Sequence, residues 1–449
     1  MGHRKKYGVL AALLLVTLSL TGCLFDSPVE ELYSLPQLPV EYTELESRID
    51  AILASGAEYA APVSGTNIQP VQLVDLDGDG TEEAVAFFRK TSDEKPLKIY
   101  IFRAQDEAYE QAAVIEGSGT TLYSVAYNDM DMDGKTELIV GWKISSELKA
   151  LQALSVYALP DLQPEELMRS AYVKYAMADL NRDNRQELVV IRADGEGSSM
   201  ADYYDWREQE LTLTSSARVS MSVAELSRVK SGKLQNDIPA LFVTGVEESS
   251  IGITDVLAVR DGALVNVTLS GATGVSTEIF RFLSLYPQDI NGDGLTEVPV
   301  PSLLPEGGDE TVRYQINWRN YDLNGTPRVA QVTYHDVEDG WYLTLPEEWD
   351  GRILVTRGET GAEENCVTFF IRGEGREPAR TFLKIYTITG DSREYKAVRG
   401  TRFVLSRQTE TIFAAELLPA GAAWRYRLTE EELLDSFHLI LNEWTAGDS

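Results

Sequence analysis

The feature that most restricts this chain is an acidic nine-residue loop that recurs through its middle. Asp75-Leu76-Asp77-Gly78-Asp79-Gly80-Thr81-Glu82-Glu83 precedes the apolar run Ala84 to Phe88. Asp129-Met130-Asp131-Met132-Asp133-Gly134-Lys135-Thr136-Glu137 precedes Leu138-Ile139-Val140. Asp179-Leu180-Asn181-Arg182-Asp183-Asn184-Arg185-Gln186-Glu187 and Asp289-Ile290-Asn291-Gly292-Asp293-Gly294-Leu295-Thr296-Glu297 repeat the pattern, again ahead of apolar residues. The first aspartates lie 54, 50 and 110 residues apart. The last interval is about twice the others, which predicts a degenerate copy between them. Alignment on Ala240-Leu241-Phe242-Val243 places that copy at Ser231 to Pro239, with no acid left at the ligand positions. Such self-similarity is the signature of a repeat architecture.

Each unit has the same internal grammar. A short apolar strand, Val71 to Val74 in the first, enters the loop and another leaves it. A third follows at Leu97 to Phe102, and a fourth near Gln111 to Ile115. Four strands in about 50 residues match a β-propeller blade, while the β-branched, aromatic and alternating composition excludes helical repeats. The expectation is a mainly β chain: a β-propeller of about five four-stranded blades over residues 57–334, with room for a sixth, and a small C-terminal α+β domain over 335–449.

The loop's spacing carries chemistry. Oxygens at positions 1, 3 and 5 converge where the backbone turns sharply, glycine at position 6 permits the turn, position 7 offers a carbonyl and position 9 a further carboxylate. The candidate ligands are Asp75, Asp77, Asp79, Thr81 and Glu83 in the first loop, and Asp129, Asp131, Asp133, Lys135 and Glu137 in the second. The third offers Asp179, Asn181, Asp183, Arg185 and Glu187, and the last Asp289, Asn291, Asp293, Leu295 and Glu297. Hard oxygen donors without nitrogen or sulfur select Ca²⁺ over a transition metal. Two to four structural ions are expected, the third loop being weakened because Asn184 replaces the glycine. The competing reading is a set of acidic turns, since Asp and Gly are good turn formers.

These loops with their following apolar runs resemble the FG-GAP or VCBS repeats of integrin α-type propellers. The resemblance implies that the calcium loop joins the first two strands of each blade and is structural. It departs from the family at position 9, where Glu stands in all four intact loops in place of the usual Asp. The whole chain also resembles lipoproteins of Gram-positive, clostridia-like bacteria, which implies a cell-surface location and no specific activity.

The ends of the chain fit that location. Arg4, Lys5 and Lys6 precede an apolar stretch from Val9 to Leu20, the layout of a secretory signal peptide over residues 1–22. Leu20-Thr21-Gly22-Cys23 resembles a bacterial lipobox, so Cys23 is the expected lipidation site. Acyl chains there would tether the protein to the outer face of a membrane. Residues 23–41, with Pro28, Pro36 and Pro39, read as a tether. Residues 42–56 read as a short amphipathic helix with Thr43 as N-cap, Glu46 completing a capping box, and Leu45, Ile49, Ile52 and Leu53 on one face. Thr429-Glu430-Glu431-Glu432 is a second capping box, with Leu433, Phe437, Ile440, Leu441 and Trp444 at helical spacing behind it.

Charge and inventory narrow the function. With 40 Lys+Arg against 71 Asp+Glu and a net charge of −31, the surface repels nucleic acid. Two cysteines and three histidines build neither a disulfide framework nor a multi-cysteine zinc site. Cys366 reads as a small buried side chain on a strand and His438 as a core-edge or solvent residue. No Gly-x-Ser-x-Gly, His-Glu-x-x-His or Walker loop is present. The expectation is therefore a calcium-stabilised binding or scaffolding module for a protein or glycan ligand. The alternatives are a carbohydrate-active enzyme using an Asp/Glu pair on the propeller face, or a purely structural envelope protein.

Overall fold

The computed structural model describes residues 40–105, 108–144, 152–195, 198–207, 210–247, 250–281, 285–305, 313–373 and 377–440. Cys23, the signal segment and most of the tether lie outside these residues, as do Leu441 and Trp444. The chain lays down antiparallel sheets one after another, each strand pairing with the next because short turns join them. Helix α1 (Val40–Ala54) comes first. The first sheet holds β1 (Glu58–Tyr59), β2 (Val71–Val74), β3 (Glu83–Arg89), β4 (Leu97–Gln105) and β5 (Ala108–Gly117). The second holds β6 (Thr121–Asn128), β7 (Glu137–Lys143), β8 (Gln152–Ala158) and β9 (Glu165–Tyr172). The third holds β10 (Lys174–Ala178), β11 (Glu187–Ala193), β12 (Ser199–Arg207) and β13 (Glu210–Val219). The fourth holds β14 (Leu226–Lys233), β15 (Pro239–Val246), β16 (Ile251–Arg260), β17 (Ala263–Asn266) and β18 (Ile279–Arg281). The fifth opens with the single bridge Gln288–Glu297 and continues through β19 (Val298–Leu303), β20 (Tyr314–Tyr321), β21 (Pro327–Asp336) and β22 (Trp341–Thr344).

These are the five expected blades, and the architecture is mainly β with propeller-type sheets. The C-terminal unit is a sixth antiparallel sheet of β23 (Ile353–Gly361), β24 (Glu364–Ile371), β25 (Arg380–Ile388), β26 (Phe403–Arg407) and β27 (Ile412–Leu417). Three short helices accompany it: α2 (Arg393–Ala397), α3 (Pro419–Ala422) and α4 (Glu430–Ser436). Thr429 caps α4 in the expected reciprocal box with Glu432. The helix stops at Ser436, earlier than its apolar spacing suggests, because β28 (Phe437–Leu439) leaves to pair with β22 at the edge of the fifth sheet. At the other end α1 starts at Val40, so Thr43 lies inside the helix and is not its N-cap. Gly56, at φ +91°, follows the helix as expected.

Packing follows the period-two alternation of the strands. Val85, Phe87 and Ile99 meet Leu138, Val140 and Trp142 of the second sheet. Ile139 and Val156 meet Leu188 and Val190 of the third, whose other face places Val189 and Ile191 on Leu241 and Val243 of the fourth. Phe242 and Val256 reach Val298 and Tyr321, and Tyr334, Trp341 and Leu343 share a core with Val355, Phe369 and Phe413 of the sixth sheet. The two outer faces are covered by helices. Leu45 and Ile49 of α1 bury Ala84, Ala86, Phe88 and Phe102, and Ala397 of α2 covers Cys366, Tyr386 and Ile412. Among the described residues no hydrophobic cluster joins the first sheet to the fifth or sixth.

Candidate metal centre

The intact loops join β2 to β3, β6 to β7 and β10 to β11, and in the fifth blade the bridged Gln288 to β19, and all four fold alike. The aspartate at position 1 gathers backbone N–H groups. Asp75 accepts from Gly78 (2.8 Å) and Gly80 (2.9 Å), and Asp289 from Gly292 (2.7 Å), Asp293 (3.1 Å) and Gly294 (2.8 Å). Asp129 accepts from Asp133 (3.1 Å) and Gly134 (3.0 Å), and Asp179 from Asp183 and Asn184 (both 3.1 Å). Position 3 accepts from position 5 in all four, through Asp77, Asp131, Asn181 and Asn291. Position 5 takes the N–H of position 7: Asp79 from Thr81, Asp133 from Lys135, Asp183 from Arg185 and Asp293 from Leu295. These are Asx-type turns, which need short carboxylate or amide side chains at those places.

The turn is sharp enough to drive two residues of each loop into the left-handed region. Positions 4 and 6 have positive φ throughout: Gly78 and Gly80, Met132 and Gly134, Arg182 and Asn184, Gly292 and Gly294. Asn184 therefore takes the glycine conformation at φ 70°, and the loop closes without the glycine.

Position 9 does something that spacing alone did not reveal. Glu83, Glu137, Glu187 and Glu297 are all buried, at 1%, 4%, 0% and 0% exposure. Each turns one oxygen back to the N–H of position 2, at 3.0 Å to Leu76, 2.8 Å to Met130, 2.7 Å to Leu180 and 3.3 Å to Ile290. The longer glutamate thus closes the loop as well as offering a ligand. Burial, reinforced by the neighbouring aspartates and opposed by these N–H bonds, pushes the Glu137, Glu187 and Glu297 carboxyls up to about 7 and raises Glu83.

Three loops bring a set of acids to one point. Asp75, Asp77 and Glu83 place ligand oxygens within 4.8 Å of one another, as do Asp129, Asp131 and Glu137, and Asp179, Asp183 and Glu187. Asp79 and Asp133 lie outside these sets, and the fifth-blade loop keeps the turn without such convergence among the described residues. The residues present fit a hard cation. The donors are oxygens, and Glu187 Oε1 is buried with no hydrogen-bond partner among the described residues, an open valence in the third set. Sequence reasoning missed Asp205 on β12, whose Oδ1 accepts from Asn181 Nδ2 at 3.3 Å. Its position beside Glu187 follows from the β11–β12 register, Leu188 opposite Tyr204, and returns to the third loop an acid near the place where Asn181 lacks one.

The degenerate copy needs a correction. In the intact blades position 9 pairs with the residue just before position 1: Val74 with Glu83, Asn128 with Glu137, Ala178 with Glu187. In the fourth blade Pro239 pairs with Lys233, so Ser231 to Lys233 belong to β14 and only Leu234 to Ile238 form the loop. The copy is shorter, which an alignment at constant length could not show. The loops also touch in series. Position 8 donates its N–H to the preceding loop, Thr136 to Leu76 O at 3.0 Å and Gln186 to Met130 O at 2.9 Å, and Thr296 reaches Lys233 O at 2.8 Å.

No family model matches the chain, and no curated protein matches it. The likeness to FG-GAP and VCBS repeats accordingly rests on the loops. Solved structures do match in part. An exo-β-1,3-galactanase from Phanerochaete chrysosporium is 13% identical over 77% of this chain and 81% of its own, with a TM-score of 0.25. A protein from Lactobacillus plantarum is 12% identical over 72% of this chain and 85% of its own, at 0.28. An endo-arabinase from Bacteroides thetaiotaomicron is 10% identical over 72% and 95%, at 0.22. Superpositions this loose do not bear on what this chain does.

Proposed function

We propose that this chain is a lipid-anchored, extracytoplasmic module whose blades are stabilised by calcium and which binds a protein or glycan ligand at the membrane surface. The observation that carries the calcium reading is the common loop: one hydrogen-bond pattern, repeated in four blades and closed each time by a buried glutamate. Packing several carboxylates together is unfavourable without a cation, so ion binding would appear as folding stability. The lipobox-like Leu20-Thr21-Gly22-Cys23 supports the membrane location.

Unfolding with calcium and then with chelator tests the reading. A ligand at a hundred times its Kd adds about 2.7 kcal/mol per site, so calcium should raise the Tm and magnesium should not. Asp77→Ala with Asp131→Ala should lose most of that response, and Asn236→Ala in the degenerate loop should keep it. Equal responses would sink the assignment. Cys23→Ser should move the protein from membranes to the medium.

A carbohydrate-active enzyme is the second reading, and it needs a carboxylate pair outside the loops. Among the described residues β2, β6, β10 and β14, the strands that enter the loops of the first four blades, carry no Asp or Glu. Buried Asp255 is occupied by Ser220 and Asn266, and Asp336 by Arg357. Release of sugar from an arabinan or galactan would nevertheless overturn the binding-module reading.

A further inference from the structure

The sixth sheet carries an apolar cavity of about 520 Å³. It opens where α3 lies on β25, between the end of β27 and the segment that leads into α4. Trp349, Phe382 and Leu383 form a fully buried floor, and Leu417, Leu418 and Leu428 are its half-buried sides.

The polar groups of this lining are already occupied. Trp349 Nε1 donates to Tyr426 O at 2.7 Å. The Leu418 N–H donates to Phe382 O and the Gly421 N–H to Leu418 O, both at 2.9 Å. Glu416 stands at the edge, and its two oxygens accept from Tyr386 Oη (2.9 Å) and Thr401 Oγ1 (2.8 Å). Tyr386 belongs to the face under α2, so this carboxylate is turned away from Trp349 and Phe382. A body seated in the cavity therefore has to be apolar, because a polar one would lose its water without replacement.

The mouth has the opposite character. Arg427 lines it and is exposed; its Nη1 donates to Ala422 O at 3.2 Å, and it has no carboxylate partner among the described residues. Beside it the Tyr426 ring lies under two more guanidinium groups, Arg352 at 4.8 Å and Arg425 at 4.3 Å. Arg352 bonds the Glu348 carbonyl at 2.7 Å and not its carboxylate, and Arg425 forms no ion pair among the described residues. Three arginines left without acids in a chain of net charge −31 select an anionic group at this place.

We propose that this cavity binds a fatty acid, its alkyl chain against Trp349, Phe382 and the leucines and its carboxylate on the Arg427 guanidinium. The volume falls within the 300–1,000 Å³ of small-ligand sites. Guanidinium pairs with carboxylate in a planar, two-bonded geometry, which selects the acid over a neutral head. The metal loops take no part, so the inference goes beyond the calcium-module reading and is independent of it.

Decanoate is the probe, titrated calorimetrically into the whole protein without detergent and below its micelle concentration. It should bind, and hexanoate, four methylenes shorter, should bind about a hundredfold more weakly. The neutral ester monodecanoylglycerol and the Arg427→Gln variant should each lose about tenfold, the loss expected for one charge-assisted contact. Ala422→Trp, at an exposed residue of the lining, should fill the mouth and abolish binding while keeping the parent's Tm. If that variant melts early, the chain-length series and Arg427→Gln decide alone. No binding of decanoate, or unchanged binding in a folded Ala422→Trp protein, overturns the site. Equal affinity for hexanoate overturns the place of the alkyl chain, and equal affinity for the ester or in Arg427→Gln overturns the choice of an acid.

Discussion

The backbone N–H of Thr136 donates to the carbonyl of Leu76 at 3.0 Å, and its hydroxyl donates to Asp75 O at 3.1 Å, so the second loop is bonded directly to the first. The first and second loops are therefore each braced by the next blade, and a change in one loop is felt at the joint. Gly78 lies in that joint at φ +75°, with Gly134 O against the place of its missing Cβ, whereas Gly80 at φ +87° faces open space.

Gly80→Ala should cost only the left-handed strain, about 1–2 kcal/mol. Gly78→Ala adds a collision with backbone and should cost distinctly more. Urea unfolding of the two variants decides it: a Gly78→Ala protein as stable as Gly80→Ala would mean the loops are not locked together.

Glu187→Gln separates the two tasks of position 9. Glutamine keeps an acceptor for Leu180 N–H and removes a charge that is fully buried, and its amide hydrogens can face Asp179 and Asp183. In chelator the variant should be at least as stable as the parent, and in calcium it should gain less. A variant destabilised equally in both conditions would show that the glutamate closes the loop without serving an ion.

How much of this was legible in the sequence depends on whether a residue's role is local. Asp75, Asp129, Asp179 and Asp289 each organise N–H groups within five residues, so the loops and their blades could be read from spacing. In the sixth sheet the strand expected at Cys366 is β24, while β27 has no motif to announce it. Phe437 and Ile440 fit a helix by spacing, yet β28 forms because β22 offers an unpaired edge, a long-range fact. Asp205 joins its loop only through strand register. The missing loop residues of the fourth blade were invisible because Pro239 still falls at position 9.

Burial pushes the His335 imidazole down to about 3. The ring stacks on Tyr342 with centroids 5.0 Å apart, and its Nε2 meets Thr333 Oγ1 at 2.9 Å. The folded protein holds it neutral, while the unfolded chain takes a proton below about 6.5. Its contribution is present above that pH and is lost as pH falls from about 6.5 towards 3, by about 1.4 kcal/mol per unit. His335→Phe keeps a stacked ring and removes the proton. Its stability should fall less steeply than the parent's between pH 6 and pH 4, and parallel curves would place the acid sensitivity elsewhere.

A blade in the middle has a sheet on each face, but the first has α1 on its outer one, with Leu45 at 6% and Ile49 at 7% exposure against Ala86, Phe88 and Phe102. If the helix is the cover for that face, Leu45→Asp with Ile49→Asp should cost at least about 2 kcal/mol, the lower end for losing buried leucine-sized side chains. The uncovered face would then be an apolar surface open to a second copy. Light scattering should detect association at concentrations where the parent is monodisperse. Should the double variant keep its stability and size, another blade must be able to take the helix's place, and the first sheet would have to close against the far end of the chain.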